Sequence, residues 1–218
     1  MKVKTKSKAS FSLETIKRLS LYLRNLKRAK ERNVDVISSD KISQFLNVTP
    51  VQFRKDLSYF GGFGKRGVGY NVEKLILEIE NILGVNKEWK IIMVGVGRLG
   101  SALLSFEGFS KFNIKISFCF DVDEEKTGKT KKGVEILHIK DMKNIIKNND
   151  IKIAIISTPP EAAQDVADEL VDAGIKGILN FAPSILKVPE YVSVSNVDMA
   201  CELESLIFFA KRKRTLKR

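Results

Sequence analysis

The chain has 218 residues, 44% hydrophobic and 29% charged, a profile that suits a globular protein with a sizeable core and, having no run of about 18 apolar residues, leaves nothing to span a membrane. The start MKVKTKSKAS lacks the apolar stretch of a secretory leader, and Cys119 and Cys201 stand far apart in apolar sequence; no disulfide framework and no metal site are expected, which favours the cytoplasm. The net charge is +12, carried by 38 Lys+Arg against 26 Asp+Glu and distributed unevenly.

Residues 1–81 hold 17 Lys+Arg against 8 Asp+Glu, so the front of the chain is strongly basic. That suits contact with a polyanion, and equally a solvated basic face. From Phe11 to Arg32 the residues Ile16, Leu19, Leu23 and Leu26 keep helical spacing, with Ser12 as N-cap. Asn33 to Ile37 reads as a connection ending in an extended stretch. Ser38-Ser39-Asp40 then caps a short second helix with Ile42, Phe45 and Leu46 on its apolar face. After a turn at Asn47-Val48, Thr49 caps a third helix with Pro50 at its first position, where the missing N–H costs nothing. Val51, Leu57 and Phe60 are expected to face inward from it. The stretch GGFGKRGVGY, 61–70, has five glycines in ten residues with Lys65 and Arg66 at its centre, and reads as a hairpin. Three helices and such a hairpin make a winged helix-turn-helix. A fourth helix, Val72 to Leu83, shows Leu75, Ile76, Ile79 and Leu83 on one face and ends at Gly84.

Past a joint at Val85 to Glu88 the period changes. Lys90–Val94, Lys115–Phe120, Lys152–Ser157 and Lys176–Asn180 are short, rich in Ile, Val and Phe, and separated by helical or turn segments. The α/β alternation points to a doubly wound parallel sheet. The expected division is a winged-helix domain over 1–84, a Rossmann domain over 85–196, a C-terminal helix over 197–210 and a basic tail over 211–218, which carries six basic residues and no acid.

The strand KIIMV runs into Gly95-Val96-Gly97-Arg98-Leu99-Gly100 and then the helical SALLSF. GxGxxG between strand and helix is the context a dinucleotide requires: Gly95 for the tight turn, Gly97 for approach to a pyrophosphate, Gly100 for close helix–strand packing, with Arg98 as a further charge. Asp121 closes the second strand, 21 residues beyond Gly100. A carboxylate there accepts from an adenosine ribose and repels a 2′-phosphate, favouring NAD over NADP. Asp123 competes for that role. Coenzyme A, or no cofactor at all, remains an alternative. The single histidine, His138, reads as structural, and no paired-carboxylate, Ser-His-Asp or Cys-His arrangement indicates catalysis. A small NAD-dependent oxidoreductase with a basic accessory domain is therefore the weaker alternative to a DNA-binding sensor.

The helix starting at Thr49 presents Gln52, Arg54, Lys55 and Ser58. In a helix-turn-helix the second helix enters the major groove, where Arg pairs with guanine and Gln with adenine while Lys anchors phosphate. Lys65 and Arg66 on the hairpin would reach an adjacent phosphate or the minor groove. A protein-binding or packing role is the alternative.

RKDLSYFGGFGKRGVGY (54–70), GVGRLGSALL (95–104), FDVD (120–123), AAQDVADELVDAGIKGILNFAP (162–183) and NVD (196–198) closely resemble the Rex family of redox-sensing transcriptional repressors, in the family's order and over nearly the whole chain. The resemblance implies a homodimer on a palindromic operator, with NADH releasing the DNA and NAD+ competing and permitting repression. It implies that the last helix is swapped between subunits; Ala200, Leu203, Ile207 and Ala210 form an apolar line there, and Leu206, Phe208 and Phe209 leave it apolar on several sides. It also implies that Arg24 pairs across the dimer with Asp198, coupling domain orientation to cofactor state. Thr158-Pro159-Pro160 and Asn180-Phe181-Ala182-Pro183 match segments lining the nicotinamide side. Phe106 stands where the family often has tyrosine, so a hydroxyl-dependent part of the coupling is altered, and Ser20 replaces a common proline.

Overall fold

The computed structural model describes residues 12–65 and 67–215, with side chains to residue 212. Contacts divide the chain into two compact units, Met1–Lys87 and Glu88–Arg218.

In the first unit α1 (Leu13–Glu31) starts where the Ser12 hydroxyl accepts from the Thr15 N–H, relieving one orphan amide of the first turn. It buries Leu19, Tyr22, Leu23 and Leu26 on one stripe. A two-residue strand β1 (Val36–Ile37) leads into α2 (Ser39–Gln44), capped by Ser38, and α3 (Pro50–Ser58), capped by Thr49 with proline in its first turn. Lys65 and Gly69 exchange both backbone hydrogen bonds, closing a tight loop, before β2 (Tyr70–Asn71) pairs antiparallel with β1. Gly69, at φ 102°, lies so close to Ile37 that an added Cβ would stand 2.7 Å from its carbonyl oxygen. α4 (Val72–Leu83) closes the core with Leu75, Ile76 and Ile79 and ends at Gly84, φ 69°. The expected helices are all present.

Two inward faces differ from expectation. Val51 is exposed and Phe53 is fully buried in its place. Asp56 and Leu57 complete that face, so the helix is rotated from the one that Val51, Leu57 and Phe60 imply, and Phe60 is half-buried. Phe53 fills more of the core, meeting Tyr22 and Tyr70 edge-on at 4.8 and 5.3 Å. Phe45 is exposed because α2 ends before it, leaving Ile42 as the buried apolar residue of that helix.

The second unit is built on seven strands. β3 (Trp89–Val94), β4 (Ile114–Asp121), β6 (Val134–His138), β7 (Ile153–Ile156), β8 (Gly177–Asn180) and β9 (Ser193–Asn196) are parallel in the order β6-β4-β3-β7-β8-β9, with β5 (Thr130–Lys131) antiparallel at the β6 edge. The order reverses between β3 and β7, the switch point beside which open α/β sheets bind ligands. Side chains alternate between two cores: Ile92, Val94, Ala154 and Ile156 join one, while Ile91, Met93 and Ile155 join the other. α6 (Met142–Asn148) and α7 (Pro160–Ala173) contribute to the first core. α5 (Arg98–Leu104) lends Leu103 and Leu104 to the second. Strands β5, β6 and β9 lie beyond the four that the Ile/Val/Phe runs announced; β5 and β9 are the edges of the sheet, which need less apolar sequence.

The last helix, α8 (Met199–Thr215), runs past residue 210. Residues 211–215 therefore continue the helix instead of starting a separate tail: Lys and Arg are good helix formers, cations suit a helix C-terminus, and no Gly or Pro interrupts them. Leu203, Leu206, Ile207, Phe208 and Phe209 are each more than half exposed within this chain. Cys201 is exposed with them, not packed, whereas Cys119 is fully buried and burial pushes its thiol up to about 12. Among the described residues no helix is long and apolar enough to cross a membrane.

Candidate functional site

At the end of β3 the chain turns sharply through Gly95, φ 93°, where a Cβ would stand 2.7 Å from the Ser157 carbonyl oxygen. Gly100 is tighter still, with an added Cβ running into the Gly95 carbonyl oxygen. Gly97 is the opposite case: a Cβ there would meet nothing within 4 Å. Two glycines thus bind loop to strand and helix, and the third leaves open space at the helix start. Gly97 is also the N-cap of α5, and no side chain caps that end. Arg98 is exposed on its first turn and Leu99 half-buried. Backbone amides and room for an anion are what a pyrophosphate needs, so these residues fit a dinucleotide.

Asp121 is 7% exposed and turned toward this loop. Its Oδ2 accepts from the Val96 N–H at 2.8 Å and its Oδ1 from the Asp123 N–H at 3.0 Å. Lys126 Nζ lies 3.2 Å from Asp121 Oδ2 and 3.3 Å from Asp123 Oδ2. Burial alone would push the Asp121 carboxyl up, but these donors outweigh it and hold it below the usual carboxylate range. Asp121 therefore shapes the loop as well as standing at the expected ribose position, and Asp123 is the more exposed of the two. Sequence reasoning missed Lys126, although its i,i+3 spacing from Asp123 was a visible signal.

Across the switch point, the Ser157 hydroxyl donates to the Gly95 carbonyl at 2.8 Å. The Thr158 Oγ1 is buried with no partner among the described residues, and Pro159 is exposed at the entry to α7. A buried hydroxyl without a partner costs about 1–3 kcal/mol, so a polar ligand there is favoured. Asn180 is fully buried; its Nδ2 donates to the carbonyls of Ala182 and Ser184 and to Asn196 Oδ1, while its Oδ1 accepts from the Ala182 N–H. Its side chain builds the loop, which leaves Phe181 half-buried, Ala182 buried and Pro183 exposed as the loop's surface. Residues 182–185 and 196–198 line a pocket of about 200 Å³. The Ser184 hydroxyl is likewise buried without a partner.

Asp198 caps α8, its Oδ1 accepting from the Ala200 and Cys201 N–H groups at 3.0 Å. Both bonds use one oxygen. Phe106, 58% exposed, meets Phe109 edge-on at 5.1 Å. His138 accepts from the Lys140 N–H through Nδ1, a structural role. Among the described residues no group of three or more His, Cys, Asp or Glu is placed to hold a metal ion.

In the first unit, Asp56 is the centre of a buried knot. Arg18 donates to it twice, at 2.6 and 2.7 Å, Tyr22 Oη at 2.7 Å and Gln52 Nε2 at 2.7 Å. Burial would raise the Asp56 carboxyl and the donors more than compensate, holding it below the usual range; the Tyr22 hydroxyl is pushed up by burial and by Asp56. The knot ties α1 to α3 and commits the Gln52 amide nitrogen, expected to read a base, to an intramolecular bond. It was missed because Asp56 lies between Phe53 and Leu57 on the inward stripe, where apolar residues are the default. Thr49 acts as cap through the Gln52 N–H, and Arg54 Nη1 donates to Ser39 Oγ at 2.7 Å. Lys55, Ser58 and Lys65 are exposed. Arg54, Lys65 and the start of α2 border a concavity of about 720 Å³ beside the glycine loop. Arg66 lies outside the described residues.

Two family models match: "CoA binding domain" over residues 86–184 and "Putative DNA-binding protein N-terminus" over residues 11–58. A redox-sensing transcriptional repressor Rex of Syntrophobacter fumaroxidans is 46% identical over 92% of this chain and 96% of its own length. That of Carboxydothermus hydrogenoformans is 46% identical over 91% and 95%. Among solved structures, RSP in complex with β-NAD+ and operator DNA superposes with a TM-score of 0.90 at 37% identity, covering 96% of this chain and 97% of that one. RSP with β-NADH gives 0.85 at 35%, covering 96% and 99%.

Proposed function

The chain belongs to the Rex family of redox-sensing transcriptional repressors, and on that premise we propose that it senses the NADH/NAD+ ratio, holding a palindromic operator and releasing it when NADH binds. The observation that carries this reading is the pairing, in one chain, of a glycine loop with open space at Gly97 and a helix-turn-helix whose Lys55 and Ser58 are exposed on the outer face.

Gly95 to Gly100 hold the pyrophosphate through backbone amides, with Arg98 as an added charge. Asp121 keeps the loop in shape, and it or Asp123 takes the adenosine ribose. Thr158, Pro159, Phe181, Ala182 and Pro183 line the nicotinamide side, and Asn180 fixes the loop that carries the last three. When bound, the dinucleotide supplies a ring whose charge depends on its oxidation state, and the protein responds to that charge without changing it. Binding shifts the DNA equilibrium only if the DNA-free arrangement holds NADH more tightly. A tenfold shift corresponds to about 1.4 kcal/mol of coupling.

The protein works in the cytoplasm as a homodimer. The exposed apolar side chains of α8 support the homodimer, since a helix apolar on several sides is stable only when covered, and a second copy supplies the cover by exchange. Arg24 is exposed on α1, and Asp198 has Oδ2 outside its capping bonds, so the pair is suited to a bridge between subunits. Phe106, lacking a hydroxyl, contributes packing alone.

Titration of a labelled palindromic duplex tests the whole reading: NADH releases the DNA and NAD+ does not. Unchanged affinity across saturating NADH overturns it. The match to a CoA-binding model supports one rival ligand. Calorimetry with NADH, NADPH and coenzyme A separates the two, and preferential binding of coenzyme A would decide for the rival.

A further inference from the structure

Val51 stands on the first turn of α3 with 66% of its surface exposed, while Phe53, Asp56 and Leu57 of the same helix are buried. A single exposed valine needs no explanation by itself. Its position does: Val51, Lys55 and Ser58 stand at i, i+4 and i+7, so they form one line along the helix face away from the core. Lys55 and Ser58 are exposed too. Val51 begins that line, at the end of the helix that reaches deepest toward base edges in a helix-turn-helix.

The surroundings fix its direction. Thr49 caps the turn through the Gln52 N–H, Pro50 restricts the backbone at the first helical position, and Asp56 ties Gln52, Arg18 and Tyr22 together beneath it. The polar groups beside Val51 are already engaged, since the Thr49 hydroxyl caps the helix and the Gln52 amide nitrogen donates inward. Valine is stiff at χ1, so its two methyls are presented in one orientation with little entropy to lose. In the major groove thymine alone carries a methyl group, at C5, and an apolar side chain distinguishes it from cytosine, which lacks one.

We propose that Val51 is a specificity-determining residue that packs on a thymine methyl in each half-site of the operator. The proposal rests on the DNA-binding reading above and adds to it the base that the helix start prefers. It also accounts for a valine that is exposed on the first turn of the recognition helix, where an inward-facing residue was expected.

The test uses the full-length protein and a duplex that the protein itself selects from a randomised library. Each thymine is replaced in turn by deoxyuridine, which removes the C5 methyl and leaves the hydrogen-bonding edge unchanged. Anisotropy of the labelled duplex should show one thymine per half-site whose replacement weakens binding about fourfold, the effect of one lost methyl burial. Val51→Ala should bind the thymine and deoxyuridine duplexes equally at that position, with the urea midpoint of the first unit close to wild type as a control for folding. Val51→Thr keeps one methyl and should retain part of the discrimination. A wild type indifferent to every replacement overturns the proposal without any variant, and so does a Val51→Ala protein with an undiminished deoxyuridine penalty. Failure to select any duplex would overturn the repressor reading, and this inference with it.

Discussion

Two buried aspartates hold the two units in working shape, and they do so by different means. Asp56 collects side-chain donors, from Arg18, Tyr22 and Gln52, and thereby fixes one helix on another. Asp121 collects backbone donors, from Val96 and Asp123, and thereby fixes a loop. The difference follows from what each unit must present. On the proposed function bases are read by side chains, so the first unit needs a helix held at a set rotation. On the same proposal a pyrophosphate is held by main-chain amides, so the second needs the loop itself held.

The largest effect should come from the side-chain knot. Asp56→Ala leaves Arg18 and Tyr22 without their acceptor, and breaking a buried pair of this kind costs about 3 kcal/mol. Denaturant unfolding of the first unit should show that loss, while calorimetry shows NADH affinity close to wild type. A loss under about 1 kcal/mol would mean that the knot is decoration and that the comparison fails.

In the loop, the glycines should separate from one another. Gly100→Ala drives a Cβ against the Gly95 carbonyl and should cost roughly 1–3 kcal/mol with loss of NADH binding. Gly97→Ala meets open space and an ordinary φ of −77°, so stability should stay within about 0.5 kcal/mol while NADH affinity still falls. Equal NADH affinity in Gly97→Ala and wild type would move the pyrophosphate elsewhere.

Acid should break both anchors. Both carboxyls are held below the usual range in the fold, so their contribution is complete above the unfolded value near 3.9 and disappears as pH falls through the lower folded values. Stability should be flat from about pH 5 upward on this account. Asp56→Asn should flatten the acid loss of the first unit and Asp121→Asn that of the second, each followed by urea midpoints between about pH 2 and 6. The smallest effect belongs to Lys126→Ala. Its ion pairs are partly exposed, and their removal should cost less than about 1 kcal/mol and decline further with added salt.

Much of the fold is legible in the sequence. Capping residues such as Ser12 and Thr49, the terminator Gly84, and the apolar stripe of α4 are local signals, readable because each acts within a turn or two of its own position. GxGxxG was readable for the same reason, and the acid that follows it because the end of the next strand lies at a set distance from that motif. The exposure of Val51, the burial of Phe53 and the Asp56 knot were not, because an inward face is chosen by what waits across the core. Phe53 goes inward because Tyr22 and Tyr70 stand there, and Asp56 is tolerated because Arg18 comes 38 residues earlier to meet it. The same holds for Asn180, for which the family resemblance implied a ligand contact and whose bonds to Ala182, Ser184 and Asn196 also make it a brace.

By itself, then, the sequence determined the helices of the first unit and the four central strands of the second, where the glycine loop falls, and that the basic charge gathers at the front. Only the tertiary structure decided which side of α3 faces out, which carboxyl is spent on scaffolding, and that α8 carries its apolar side chains uncovered. Periodicity records that a face is apolar; the partner that covers it lies far off along the chain or in another molecule, and distance in sequence hides it.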